Sequence, residues 1–201
     1  MRVLPVFVLL LLFSSSLVEA FPTGVGHMAN RGCLCHSGES SEVEITVLGF
    51  PGTYNASERY NLTFSINASV ERAEDDSGRK GGFRLLIDGG QVDFEDDAQY
   101  LENGWTHTNL SNKQRSWNLS WVAPQQDNQL VTAILFVNAV NGGDASSGDK
   151  WGQVELITIG SNWTGVVPEL SLEQGLTTLE ITVAIGVISI LLGLLVVISR
   201  D

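Results

Sequence analysis

Between residues 43 and 160, one short segment after another places an apolar side chain at every second position. "EVEITVLG" carries Val43, Ile45 and Val47 on one side, and "RYNLTFSINA" carries Tyr60, Leu62, Phe64 and Ile66. "SWNLSWVAP" repeats the pattern with Trp117, Leu119 and Trp121 before Pro124 ends it, and "GGFRLLIDGG" is bounded by glycines. Alternation at period two buries one face of a strand and leaves the other in water. "QLVTAILFVNAV" is more continuously apolar, as a central strand is, and "WGQVELITIG" closes the series. Short alternating runs with turn residues between them predict an all-β antiparallel sandwich. Trp117 and Trp121 belong to its core; Trp105 and Trp151, each beside a glycine, belong to the core or to the rim of a site.

The two ends of the chain have a different character. Residues 1–20 read as a signal peptide: Arg2, then an apolar run from Val3 to Phe13, then small residues ending at Ala20. From Leu179 to Ile198 the chain is apolar except for Glu180, Thr182 and Ser189, which matches the roughly 20 residues needed to cross a bilayer. Arg200 follows and sets that side as cytoplasmic by the positive-inside rule. The expected organisation is signal peptide 1–20, extracellular domain 21–160, stalk 161–177 and transmembrane helix 178–199. That describes a type I single-pass protein of the plasma membrane with its ectodomain outside the cell.

A formal net charge of −12 argues against nucleic acid as a partner, because such binding rests on cations that neutralise phosphates. The outward partners expected are the membrane and other surface or redox proteins. Six Asn-x-Ser/Thr sequons, at Asn55, Asn61, Asn67, Asn109, Asn118 and Asn162, all fall in the expected ectodomain. About two would arise by chance, so the surplus points to a glycoprotein. "ERAEDD" (71–76) and "DFEDD" (93–97) supply oxygen donors for Ca²⁺ but lack the regular spacing of an EF-hand, and solvated loops are the simpler expectation. "NGGDASSGD", with Asp144 and Asp149, reads as a turn-rich loop rather than a cation site, with Ca²⁺ as the alternative.

The chain has two cysteines and three histidines. Cys33, Cys35 and His36 stand together in "NRGCLCHSGE". Cys-x-x-Cys-His is the attachment signature of c-type haem, in which each thiol adds to a vinyl group and the histidine ligates iron. Here the gap between the thiols is one residue shorter, while Cys35-His36 keeps the thiol adjacent to the ligand. A local disulfide across one residue would be strained and would constrain almost no chain. Candidate ligands for the opposite side of a haem are His107, Met28 and His27. The same set, His27, His36 and His107 with Cys33 and Cys35, also suits a Zn²⁺ or copper ion. Haem, another metal and no cofactor all remain open at this stage.

The order of the motifs has a family resemblance. "CHSG" (35–38), "GFRLL" (82–86), "THT" (106–108), "WNLSWVAP" (117–124) and "FVNAVNGGDASSGD" (136–149) follow one another in the way they do in the choice-of-anchor V domain family. These are reelin-domain-like β-sandwich surface proteins of prokaryotes. The resemblance spans about residues 22–160 and implies a reelin-like or immunoglobulin-like sandwich exported and tethered at its C-terminus. The family's cysteine motif has two residues between the thiols, where this chain has Leu34 alone.

No Gly-x-Ser-x-Gly, His-Glu-x-x-His, Walker or dinucleotide-binding motif occurs in the sequence, so the chain is not expected to be an enzyme. Two functions follow as expectations. One is a surface module presenting a Cys/His-held metal or haem for electron transfer or metal binding; the other is a cofactor-free, glycosylated adhesion or envelope protein.

Overall fold

In the computed structural model, which describes residues 21–36, 38–168 and 178–199, the alternating segments become two packed sheets. Ten strands follow in chain order: β1 (Glu44–Leu48), β2 (Thr53–Tyr54), β3 (Arg59–Asn67), β4 (Gly81–Ile87), β5 (Gln91–Asp93), β6 (Ala98–Leu101), β7 (Gly104–His107), β8 (Ser116–Val122), β9 (Leu130–Ala139) and β10 (Lys150–Gly160). One sheet has the order β1-β3-β8-β5 and the other β2-β10-β9-β4-β7-β6. The pairing is antiparallel except for two residues of β2 that run parallel to the end of β10. The expected all-β sandwich is therefore present, with one short parallel ladder that alternation alone did not predict.

The core is the set of alternating side chains. Leu62, Phe64 and Ile66 of β3 meet Phe83 and Leu85 of β4 and Leu135 and Val137 of β9. Trp117 and Trp121 are wholly buried among them, with Phe64 stacked on Trp117 and Tyr54 edge-on to Trp121. β9 lies between β10 and β4, and its residues Leu135 to Ala139 are buried on both faces. Four short strands lacked a sequence signal. β6 and β7 form a hairpin whose two turn residues, Glu102 and Asn103, both have positive φ, +46° and +61°. That geometry joins strands without splaying them.

Alternation also creates an outward face on the six-stranded sheet. With Phe83, Leu85, Val137 and Ala139 pointing inward, Gly82, Arg84, Asn138 and Trp151 point outward. Arg84 and Trp151 are nonetheless buried, because residues 21–36 lie across them as a strap. The strap is bolted by Thr106 Oγ1, which accepts from the Val25 N–H at 3.1 Å, and by the Asn112 carboxamide, which donates to the Pro22 carbonyl at 2.9 Å. Gly32, at φ +114°, lies against the Trp151 ring where a Cβ would come within 2.5 Å of it. Only glycine suits both constraints.

The signal peptide expected at 1–20 and residues 169–177 of the expected stalk lie outside the described residues, as does Ser37. Ser161 and Asn162 hydrogen-bond back to the sandwich at Tyr54 and Asp127. The chain divides into two compact units at 170/171. The second holds one helix, α1 (Thr178–Ser199), with side chains described over 181–193. Among the described residues no helix is long and apolar enough to cross a membrane, so the expected span over 178–199 rests on the sequence and not on the structure.

Candidate functional site

Between the strap and the outward face of the six-stranded sheet lies a mostly apolar pocket. Met28, Cys33, Cys35, His36 and His107 all line it. Five residues spread over 80 positions of sequence are thus brought to one place by the strap and the β4–β7 pair. The cavity volume is about 90 Å³, and with its open mouth the hollow measures about 880 Å³. The enclosed part has room for several waters.

Local backbone sets the presentation of the motif. Leu34–His36 is a 3₁₀ turn, closed by the His36 N–H donating to the Cys33 carbonyl at 2.8 Å. In a 3₁₀ helix residues three apart are eclipsed, so Cys33 and His36 share a side and Cys35 sits about a third of a turn away. The shortened gap therefore pairs the first thiol with the imidazole, where an α-turn with the longer gap would pair the two thiols. Both cysteines are free and half-buried. Burial pushes the Cys33 thiol up to about 12, with the neighbouring Cys35 adding to the effect.

His36 is oriented by a residue that sequence reasoning passed over. Its Nδ1 lies 2.7 Å from Asp149 Oδ2, and the Asp149 side chain is 4 % exposed. The other carboxylate oxygen accepts from the Asn141 N–H at 2.7 Å. A carboxylate only accepts, so Nδ1 carries the proton and Nε2 is the nitrogen left for a ligand. A carboxylate behind an imidazole is the usual outer-shell support of a metal-bound histidine. Asp149 sits in the "SSGD" turn, read from sequence as part of a turn-rich loop with Ca²⁺ binding as the alternative. Its only signal was a carboxylate at the start of β10, where the strand carries it under His36.

His107 is placed beside His36 but is committed elsewhere. Its Nδ1 accepts from the Phe83 N–H at 3.1 Å, and its Nε2 lies 3.3 Å from the Phe21 carbonyl. Nδ1 is therefore the unprotonated nitrogen and Nε2 the donor, and the ring holds the start of the strap against β4. Gly82 makes room for it, since a Cβ there would stand 2.7 Å from the ring. His27 does not line the pocket; its Nδ1 is 2.5 Å from Glu102 Oε2 on the β6–β7 turn. The two backbone and side-chain bonds from His27 hold the Glu102 carboxyl below its ordinary range. The convergence of three histidines on one ion, an expectation of the sequence, is not formed. Among the described residues no group of three or more His, Cys, Asp or Glu side chains is arranged to hold a metal ion.

Two further pocket residues bear on what the pocket can hold. Asn112 and Asn138 are 3 % and 6 % exposed, and the carboxamide oxygen of each lacks a hydrogen-bond partner among the described residues. Such an acceptor costs on the order of 1–3 kcal/mol if left unmet.

Burial is also the main reason the His107 pKa lies below the ordinary histidine value of 6.5; the charge of His36 pushes in the same direction. The neutral ring is the folded form. As pH falls through 6.5 the unfolded chain takes up a proton that the folded chain refuses, so stability is full above that value and declines below it. Thermal unfolding of the ectodomain is expected at a lower midpoint at pH 5.5 than at pH 7.5, with the difference reduced in His107→Gln. Equal midpoints would contradict the buried neutral assignment.

No family model matches the chain, and no curated protein matches it, so the choice-of-anchor V resemblance stands on the motif order alone. Solved structures with a similar strand arrangement include the human F-spondin reeler domain, 16 % identical, covering 60 % of this chain and 97 % of that one with a TM-score of 0.38. A conjugative transposon lipoprotein from Bacteroides eggerthii is 12 % identical over 59 % of this chain and 98 % of that one, TM-score 0.38. A conjugate transposon protein from Bacteroides vulgatus is 16 % identical over 62 % and 91 %, TM-score 0.38. Likenesses of this strength carry no statement about function.

Proposed function

We propose that this chain is a surface β-sandwich protein whose strap pocket carries a covalently attached haem, and that it serves as a one-electron carrier outside the cell. The observation that supports the reading most strongly is His36. Its Nδ1 is fixed by a buried carboxylate, its Nε2 is left for a ligand, and Cys33 and Cys35 line the same pocket. Cys35, next to His36, is the principal attachment point, and Cys33, eclipsed with His36 on the 3₁₀ turn, is the second. His107 has both ring nitrogens engaged, so Met28, which lines the pocket, would be the second side chain to ligate the group. Held there, the group supplies a redox couple whose potential is set by its axial ligands and its exposure.

The chain's own residues do three things for it. Asp149 fixes the imidazole, the strap shields one edge from water, and the apolar wall lowers the local dielectric. Tethering at the C-terminus is part of the proposal. It is supported by the apolar sequence from Leu179 to Ile198, long enough for a bilayer's hydrocarbon core. Export is supported by the sequence of residues 1–20 and by the six sequons, all of whose asparagines are exposed.

The test is a visible spectrum. The ectodomain, produced in a host that matures c-type cytochromes, is expected to show a Soret band that stays with the polypeptide through denaturation, and Cys35→Ala is expected to lose it. A colourless wild-type protein would leave the second reading, a cofactor-free adhesion or envelope protein. The exposed polar face described next favours that second reading.

A further inference from the structure

We infer that Asn61 and Asn118 form a cross-strand pair of N-glycosylation sites on the outer face of the four-stranded sheet, modified before that sheet closes. The inference depends on export of the ectodomain and not on what the pocket holds.

The register carries the argument. β3 and β8 pair so that Asn61 lies opposite Ser120 and Thr63 opposite Asn118. These are the two sequons Asn61-Leu62-Thr63 and Asn118-Leu119-Ser120, set head to tail. Each acceptor asparagine therefore faces the hydroxyl of the other sequon. Their middle residues, Leu62 and Leu119, point into the core and are 6 % and 9 % exposed, which forces both asparagines and both hydroxyls outward. The rest of that face is polar as well: Ser65 stands opposite Ser116, and Asn67, a third sequon asparagine, opposite Glu44.

Side-chain partners set Asn118 apart from three of the other sequons. Asn55, Asn67 and Asn162 donate their Nδ2 to the carboxylates of Glu58, Glu44 and Asp127. Asn118 uses Oδ1 instead, accepting from Thr63 Oγ1 at 2.7 Å. That leaves Nδ2, the atom that takes the sugar, toward solvent.

The same contacts fix the order of events. In the folded sheet the Thr63 hydroxyl is bound to Asn118, and the Ser120 hydroxyl accepts from Arg59 Nη1 at 2.5 Å. β3 and β8 are both inner strands, with neighbours on each side. A transferase that must read asparagine and hydroxyl together on an extended chain cannot do so once β3 and β8 have paired. The donor is a lipid-linked oligosaccharide. Nδ2 attacks its anomeric carbon, the carbon–nitrogen bond forms, the carbon–oxygen bond to the lipid phosphate breaks, and one amide proton leaves to base. The lipid phosphate is the leaving group, and nothing is oxidised or reduced. Two glycan stems set diagonally across a ladder lie about 7–8 Å apart and cover the four-stranded sheet. The pocket lies on the opposite sheet and stays accessible.

The full chain, expressed in a eukaryotic secretory host, should be mapped by glycopeptide mass spectrometry. Asn61 and Asn118 are expected to be occupied on the same molecules. Asn61→Gln and Asn118→Gln should each remove the mass of one glycan and leave the near-ultraviolet circular dichroism unchanged. Unglycosylated, folded ectodomain offered to the transferase in vitro is expected to stay bare at both positions. Occupancy at the loop sequons Asn55 and Asn109 with Asn61 and Asn118 bare would overturn the inference and leave the proposed function standing. A chain bare at all six would overturn export with it. Modification of the folded ectodomain at Asn61 or Asn118 would overturn the order of events.

Discussion

Replacing Arg84 with alanine is expected to destabilise the ectodomain by several kcal/mol, because it removes the one donor that several acceptors share, each costing on the order of 1–3 kcal/mol where it is left unmet. Arg84 is fully buried, and its guanidinium donates only to neutral oxygens. Nη1 reaches the Leu101 carbonyl at 2.6 Å and the Val25 carbonyl at 3.3 Å, Nη2 the Glu102 carbonyl at 2.7 Å, and Nε the Asn30 side-chain oxygen at 2.9 Å. One side chain thus ties β4 to the β6–β7 turn and to two points on the strap. Its removal leaves four part-buried acceptors without that donor, each costing on the order of 1–3 kcal/mol where water does not replace it. Arg84→Lys should recover only part of the loss, because a compact ammonium cannot span a fork of acceptors. Urea unfolding checks the energy. Amide exchange checks the location, with the strap residues 22–30 exchanging faster than the core strands. A variant within about 0.5 kcal/mol of the parent would mean that the strap is held by something else.

Removing the carboxylate behind His36 has the second large effect. Asp149→Ala is expected to weaken ligation by His36 Nε2 of the proposed group by about 10–100-fold, the usual consequence of losing an outer-shell partner, while the thioether attachment stays. Two causes add. The imidazole loses the acceptor that fixes its tautomer and ring orientation, and the Asn141 N–H loses its own acceptor. Asp149→Asn keeps a carbonyl oxygen for one of those bonds and should fall between the parent and Asp149→Ala. The ratio of Soret to protein absorbance after identical maturation reads the effect, and the midpoint of reduction separates it from simple unfolding. A spectrum and midpoint unchanged in Asp149→Ala would assign Asp149 to loop structure alone.

The strands of the sandwich were legible because burial on one face writes itself into the sequence at period two. β3, β8 and β9 can be read almost to the residue from Leu62, Phe64, Ile66, Trp117, Trp121 and the apolar run at 130–139. β2, β5, β6 and β7 could not, since strands of two to four residues show too few repeats to establish a period. The β6–β7 turn carries an Asn-Gly pair at 103–104, yet its two positive-φ residues are Glu102 and Asn103, one position earlier than that signal suggests. Reading Trp151 as possible rim also missed the strap. Its burial depends on Gly32, more than 100 residues away, and no local pattern encodes such a contact.

The site was half legible. Cys33, Cys35 and His36 announced themselves by adjacency, and His107 and Met28 do line the pocket with them. Chemistry in the sequence could not show that His107 is engaged at both nitrogens, because its partners are the backbone groups of Phe83 and Phe21. Nor could it show that His27 turns to Glu102. Asp149 was hidden for the opposite reason. A carboxylate among glycines and serines looks like a turn residue, and only the β10 register places it beneath an imidazole on the strap.

On the proposed function, the Cys33–His36 turn holds a covalent group over the six-stranded sheet. The most direct measurement is the intact mass of the denatured ectodomain after co-expression with a c-type cytochrome maturation system, beside Cys33→Ala, Cys35→Ala and the double variant. The account predicts a mass increase of one haem in the wild-type chain, retained under denaturant, reduced in yield in Cys33→Ala, and absent in Cys35→Ala and the double variant. The unmodified polypeptide mass in the wild-type chain, from a host that loads a control cytochrome in the same cells, would contradict it.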